Sequence, residues 1–111
     1  MANRAPTISS HVLDTSRGLP AAGVAISLSL VDEDGAEELV GSGFTDSDGR
    51  VGDLLFGGPL RPGTYRLRFI VTGRSPLFTA MAVDLRVEDV RRSYHVPLLL
   101  SPFGLSTYLG S

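Results

Sequence analysis

Two histidines, one arginine and a hydroxyl-rich tail carry most of the chemistry that this chain could perform. His11 lies in TISSHVLD and His95 in SYHVPLLLS, each inside an apolar, strand-like stretch. Imidazole titrates near neutrality, so either residue could act as an acid, a base or a holder of water. A lone histidine in an apolar strand more often has a structural role, and spacing leaves both readings open. Arg50 directly follows TDSDG. Its planar, permanently charged fork suits an anionic or carbonyl-rich ligand, although a solvated turn arginine has the same sequence signature. Asp46 and Asp48 in that turn resemble a fragment of a calcium loop. They lack the twelve-residue ligand spacing and its closing glutamate, so they read as turn formers.

The chain closes on SPFGLSTYLGS, a stretch without a charged side chain. Phe103, Leu105, Tyr108 and Leu109 make it apolar, and Ser106, Thr107, Tyr108 and Ser111 supply hydroxyls. Chain ends are usually polar and loosely held, so this tail is expected to pack against another surface. A C-terminal edge strand with loose final residues is the plainer alternative.

Positioning these groups requires strands. Thirteen glycines and seven prolines punctuate short apolar segments, a pattern of many turns. In GVAISLSLVDEDG, Val24, Ile26, Leu28 and Leu30 alternate with Ala25, Ser27, Ser29 and Val31, a half-buried strand closed by a turn at Asp34-Gly35. EELVGSGFTDSDG gives another strand ending at Asp48-Gly49, and RVGDLLF a short one. TYRLRFIV sets Tyr65, Leu67 and Phe69 on one side, with Arg66, Arg68 and Ile70 on the other. FTAMAVDLRVED and SYHVPLLLS complete about eight candidate strands, and Pro97 predicts an edge position or a bulge because it cannot donate to a ladder. No segment has convincing helical periodicity, so the expected architecture is an all-β sandwich.

Composition removes several functional classes. A chain of 111 residues fits one domain, 1–111, with residues 1–6 expected to be disordered. Ten basic and twelve acidic residues give a net charge of -2, which offers no electrostatic footprint for nucleic acid or an anionic membrane. Without cysteine there is no disulfide or thiolate chemistry, and two histidines do not fill a structural zinc site, so no metal site is expected. The opening MANRAPTISS lacks the apolar core of a secretory signal, and VPLLL is too short to span a bilayer. A cytoplasmic location is the expectation.

Three blocks, SSHVLDTSRGLPAAGVAISL, TDSDGR and YHVPLLLSPFGLSTYLGS, resemble the 5-hydroxyisourate hydrolases, relatives of transthyretin that act in purine catabolism and urate degradation. The resemblance covers almost the whole chain, and the blocks occur in the family's order. It implies a transthyretin-like sandwich of two four-stranded sheets, assembled as a homotetramer with active sites where two dimers meet. The implied reaction is hydrolytic opening of the six-membered ring of 5-hydroxyisourate, a cyclic amide, without a cofactor. The family's catalytic histidines and arginine fall on His11, Arg50 and His95. Its C-terminal Tyr-Arg-Gly-Ser falls on Tyr108, Leu109, Gly110 and Ser111, so these residues and Ser106 are the implied substrate-binding group.

Two departures accompany the resemblance. Leu109 stands where the family has arginine, and Leu105 where it often has tyrosine; both make the tail more apolar. These changes motivate one alternative, a related enzyme acting on a different heterocycle; a non-enzymatic binder of a small ligand, as transthyretin is, is a further alternative that the two histidines argue against. Between TYRLRFIV and FTAM the chain is shorter than the family, whose short helix is expected to be reduced or absent here.

Overall fold

Strand alternation sorts side chains into an inward and an outward set, and the pairing of strands turns the inward set into a core. A computed structural model of the chain describes residues 5–111. Its strands are β1 (Ile8–Asp14), β2 (Leu19–Pro20), β3 (Ala25–Val31), β4 (Glu37–Phe44), β5 (Arg50–Val51), β6 (Gly63–Ile70), β7 (Ala80–Val87), β8 (Tyr94–His95), β9 (Leu98–Ser101) and β10 (Gly104–Thr107). One sheet has the order β4-β3-β6-β7 and is antiparallel throughout. The other follows β10-β9-β1-β2, and β5 and β8 also pair with β1. Among the described residues there is no helix, in agreement with the all-β, two-sheet expectation. Of the segment expected to be disordered, residues 1–4 lie outside the described residues, while Ala5 and Pro6 precede β1 outside any strand.

The alternation read from the sequence governs burial. Ile8 and Val12 of β1, Ile26 and Leu28 of β3, Tyr65, Leu67 and Phe69 of β6, and Leu98 and Leu100 of β9 are essentially inaccessible. Each such side chain contributes about 1.5–3 kcal/mol relative to leaving it in water. Tyr65 keeps its phenol satisfied by accepting from Arg61 N and donating to Arg61 O, both at 2.9 Å. On the outward face of β6, Arg66 forks onto Asp84 of β7 at 2.7 and 2.9 Å, and Arg66 and Arg68 both reach Glu37 of β4. The hydrogen bond from Arg68, then that from Arg66, holds the Glu37 carboxyl down to about 2.

Pro97 explains why SYHVPLLLS becomes two strands. Both β8 and β9 run parallel to β1, with Ser9 opposite His95 and Val12 opposite Leu98. They therefore follow one line at one offset, interrupted at Val96-Pro97, where proline supplies no N–H. The interruption lies between β1 and the C-terminal segment, not at a sheet edge. Between β6 and β7 the chain turns back through residues 71–79. Val71 N donates to Thr79 O, and the Ser75 hydroxyl accepts from Leu77 N and Phe78 N while donating to Pro102 O. This short link stands where a helix was expected to be reduced or missing.

Candidate active site

β1 is the spine on which the candidate site is assembled. Ile8, Ser10 and Val12 are buried, so Ser9 and His11 fall on the opposite, outward face. Antiparallel β5 places Arg50 opposite His11, and parallel β8, on the other flank of β1, places His95 opposite Ser9. His95 is outward for the same reason, since Tyr94 and Val96 on either side of it are buried. Residues far apart in the chain thus meet on one outer sheet face, away from the core.

The turn bearing Arg50 is fixed by short-range polar contacts. Asp46 Oδ1 accepts from Asp48 N and Arg50 N, each at 2.9 Å, and these N–H groups, Arg50's first, hold its carboxyl below the usual range. Asp46 is committed to this Asx turn, as read from the sequence. Gly49 adopts φ +77° and accepts Val12 N at 2.7 Å, which pins the turn to β1. A Cβ there would lie 2.5 Å from Val12 O, so backbone conformation and close approach both require glycine. The Asp48 carbonyl then meets His11 Nε2 at 2.9 Å. A carbonyl only accepts, so His11 carries its proton on Nε2 in this contact.

His95 is held from two sides. Ser9 Oγ lies 2.8 Å from His95 Nδ1, which occupies that ring nitrogen. The C-terminal segment covers the ring from the other side. β10 pairs with β9 from Gly104↔Ser101 to Thr107↔Leu98, and the isolated Gly110↔His95 bridge continues the same register. Gly110 N donates to His95 O at 2.7 Å, and a Cβ at Gly110 would lie only 2.7 Å from His95 Cδ2. Burial first, then the charge of Arg50 and of His11, lowers the His95 pKa below 6.5. Both effects favour the neutral form of this imidazole over the charged one.

Beside this ring opens a cavity of about 310 Å³, lined by Ser9, Arg50, His95, Gly110 and Ser111 together with Arg92 and Ser93. His11 stands next to it, paired with Arg50. The other tail residues go elsewhere. Ser106 is exposed on β10. Tyr108 and Leu109, between the last β10 pair and the Gly110 bridge, line a separate apolar cavity of about 190 Å³ with Val83, Leu85 and Val96. Within one chain, then, the structure brings His11, Arg50, His95, Gly110 and Ser111 together and leaves Ser106, Tyr108 and Leu109 apart. Leu105 packs inward against the core. Sequence reading missed Ser9, Arg92 and Ser93. Ser9 was within reach of it, because a residue two before His11 must share its face; the other two lie in an irregular approach to β8 that periodicity does not describe.

The arrangement can hold water against a neutral imidazole and offer a guanidinium to developing negative charge. Among the described residues no group of three or more His, Cys, Asp or Glu is placed to hold a metal ion, and no helix is long and apolar enough to cross a membrane. The family model described as HIUase/Transthyretin family matches residues 8–110. The 5-hydroxyisourate hydrolase of Halalkalibacterium halodurans is 41% identical over 115 residues, which span 94% of this chain and 97% of the relative. Among solved structures, Klebsiella pneumoniae 5-hydroxyisourate hydrolase superposes with a TM-score of 0.81 at 35% identity, covering 95% of this chain and 99% of that one. Sea bream transthyretin in complex with thyroxine gives a TM-score of 0.81 at 28% identity over 93% of both chains.

Proposed function

The chain belongs to the HIUase/transthyretin family, and from that premise we propose that it is a 5-hydroxyisourate hydrolase, opening the six-membered ring without a cofactor as a step of urate breakdown. The observation that carries this reading is the pairing of β1 with β5 and β8, which sets Arg50 and His95 at one open cavity with His11 paired to Arg50 beside it. A thyroxine-type carrier has no need of a neutral histidine beside a cation. The hydrolase does, because it must activate water and stabilise an oxyanion.

In the proposed reaction His95, kept neutral by burial and by Arg50, takes a proton from water as the oxygen adds to a ring carbonyl. Arg50 stabilises the negative charge that develops on that carbonyl oxygen. The ring C–N bond then breaks and the departing nitrogen receives the proton. His11, fixed by the Asp48 carbonyl, orients the water or the substrate edge beside Arg50. Gly110 and Ser111 form a wall against His95, the glycine because nothing larger fits. The cavity lies on an outward face and is open in one chain, which supports a homotetramer in which a second dimer closes it. In that assembly Ser106, Tyr108 and Leu109 would serve the interface or the site of a neighbouring subunit.

The test is to generate 5-hydroxyisourate in situ from urate, add the protein, and follow the loss of ultraviolet absorbance against uncatalysed decay. Acceleration is expected, and His11→Asn, Arg50→Leu and His95→Asn should each reduce turnover by about a hundredfold or more. Wild-type protein that leaves the decay unchanged would sink the hydrolase reading. Leu109 favours a second reading, a related enzyme for a different heterocycle, because it brings an apolar group where the family signature has a cation. A large gain on 5-hydroxyisourate for Leu109→Arg would support that alternative.

A further inference from the structure

The His95 cavity contains two arginines, and the proposed reaction uses one. Arg92 lines the cavity with Arg50, His95 and Ser111. Its guanidinium stacks over the Tyr94 ring at 4.9 Å from the centroid. Among the described residues it makes no ion pair, unlike its neighbour Arg91, whose guanidinium is committed to Asp89. No residue lining the cavity has a carboxylate side chain, and Leu109 turns to the apolar cavity by Val83 and Leu85.

Two permanent cations therefore stand around one opening without an acidic side chain among its lining residues, and the single carboxylate there is the chain-end group of Ser111. The two guanidinium groups outnumber that carboxylate, and the positive charge left over favours an anionic ligand. Stacking on Tyr94 restrains a long side chain that would otherwise sample many rotamers, so less freedom is lost when a ligand arrives. A guanidinium presents parallel donors that match a carbonyl or a deprotonated ring edge.

We propose that Arg92 is a second substrate-binding cation of this cavity, gripping the anionic edge of a planar heterocycle while Arg50 faces the reacting carbonyl. Arg92 then selects anionic rings over neutral rings of the same shape. The identity of the heterocycle rests on the hydrolase reading above; the two-cation geometry does not.

Steady-state hydrolysis of 5-hydroxyisourate by wild type, R92Q and R92K tests the role. R92Q is expected to raise KM about tenfold, the scale of one lost charge-assisted contact, with kcat changed by no more than about threefold. Its kcat/KM should also respond less to added sodium chloride. R92K keeps the charge without the fork and should recover the salt response and part of the KM. If R92Q folds poorly, R92M provides the neutral variant while keeping an aliphatic stem on Tyr94. Unchanged KM and unchanged salt response in the neutral variant overturn the proposal.

Calorimetric titration with urate, a planar monoanion, separates this from the hydrolase reading because it needs no turnover. Should wild type show no hydrolysis yet bind urate about tenfold more tightly than R92Q, the hydrolase assignment falls and the role of Arg92 stands. Equal urate affinity in wild type and R92Q, or no binding by either, in a protein without turnover sinks the role of Arg92 as well.

Discussion

His95 is the residue on which the chemistry turns, and its environment predicts a pH profile. Burial is the main cause of its lowered pKa, with Arg50 and His11 adding to it. A general base must be neutral, so turnover should fall on the acid side with an apparent pKa below 6.5. Residual activity of Arg50→Leu should lose its acid limb at a higher pH than wild type, because one positive neighbour is gone. An acid limb at or above 6.5 in wild type would remove His95 from that role. The same shift bears on stability. Below pH 6.5 the unfolded chain binds a proton that the folded histidine resists, so this contribution is complete above 6.5 and is lost as pH falls through the folded pKa.

Gly110 gives a second residue-level prediction. Alanine there would set its methyl 2.7 Å from His95 Cδ2 and 3.3 Å from Pro97 Cγ. Either the imidazole or the chain end must move, and a misplacement near 1 Å costs on the order of a hundredfold in rate. Gly110→Ala should therefore lose turnover while its melting temperature changes little, since the bridge lies at the chain end. Wild-type turnover in this variant would show that the tail does not position His95.

At the scale of elements, β1 matters more than any single strand, because it has a core-facing edge of Ile8, Ser10 and Val12 and a site-facing edge of Ser9 and His11. The period-two pattern of the sequence already separates these two sets. Their partners could not be read in the same way, since parallel pairing of β1 with β8 joins positions 86 residues apart. The opposite sheet shows how charge secures a register. Glu37 binds Arg66 and Arg68 across β4 and β6, and its carboxyl titrates at about 2 instead of 4.5. A depressed carboxylate stabilises the fold above pH 4.5 and loses that contribution as pH falls toward 2. Glu37→Gln should flatten this acid limb in denaturation experiments from pH 5 to pH 2, and an unchanged limb would mean that the ion pairs do not couple to folding.

At the scale of the molecule, much of the greasy C-terminal segment stays open within its own chain, although Leu105 packs against the core. Phe103, Tyr108 and Leu109 are 73%, 52% and 53% exposed, and the His95 cavity opens on an outward face. Apolar residues in such a state, beside the edge strand β10, are expected to be covered by another copy of the chain. Light scattering at micromolar concentration should give four times the 11.8 kDa chain mass. A monomer with full activity would rule out a site closed by a second dimer.

By itself the sequence determined the strand alternation, the two Asp-Gly turns and the class of the fold, because period-two burial and turn residues are local consequences of backbone geometry. Resemblance to a family further singled out His11, Arg50 and His95. Only the tertiary structure decided that Ser9 contacts His95, that Gly110 lies against that ring, and that Arg92 shares its cavity. It also decided that Tyr108 and Leu109 turn away from the glycine and serine that follow them. Alternation fixes which side of a strand a residue occupies, but long-range register decides whose side chain lies opposite, and that depends on pairings between segments that no local pattern encodes.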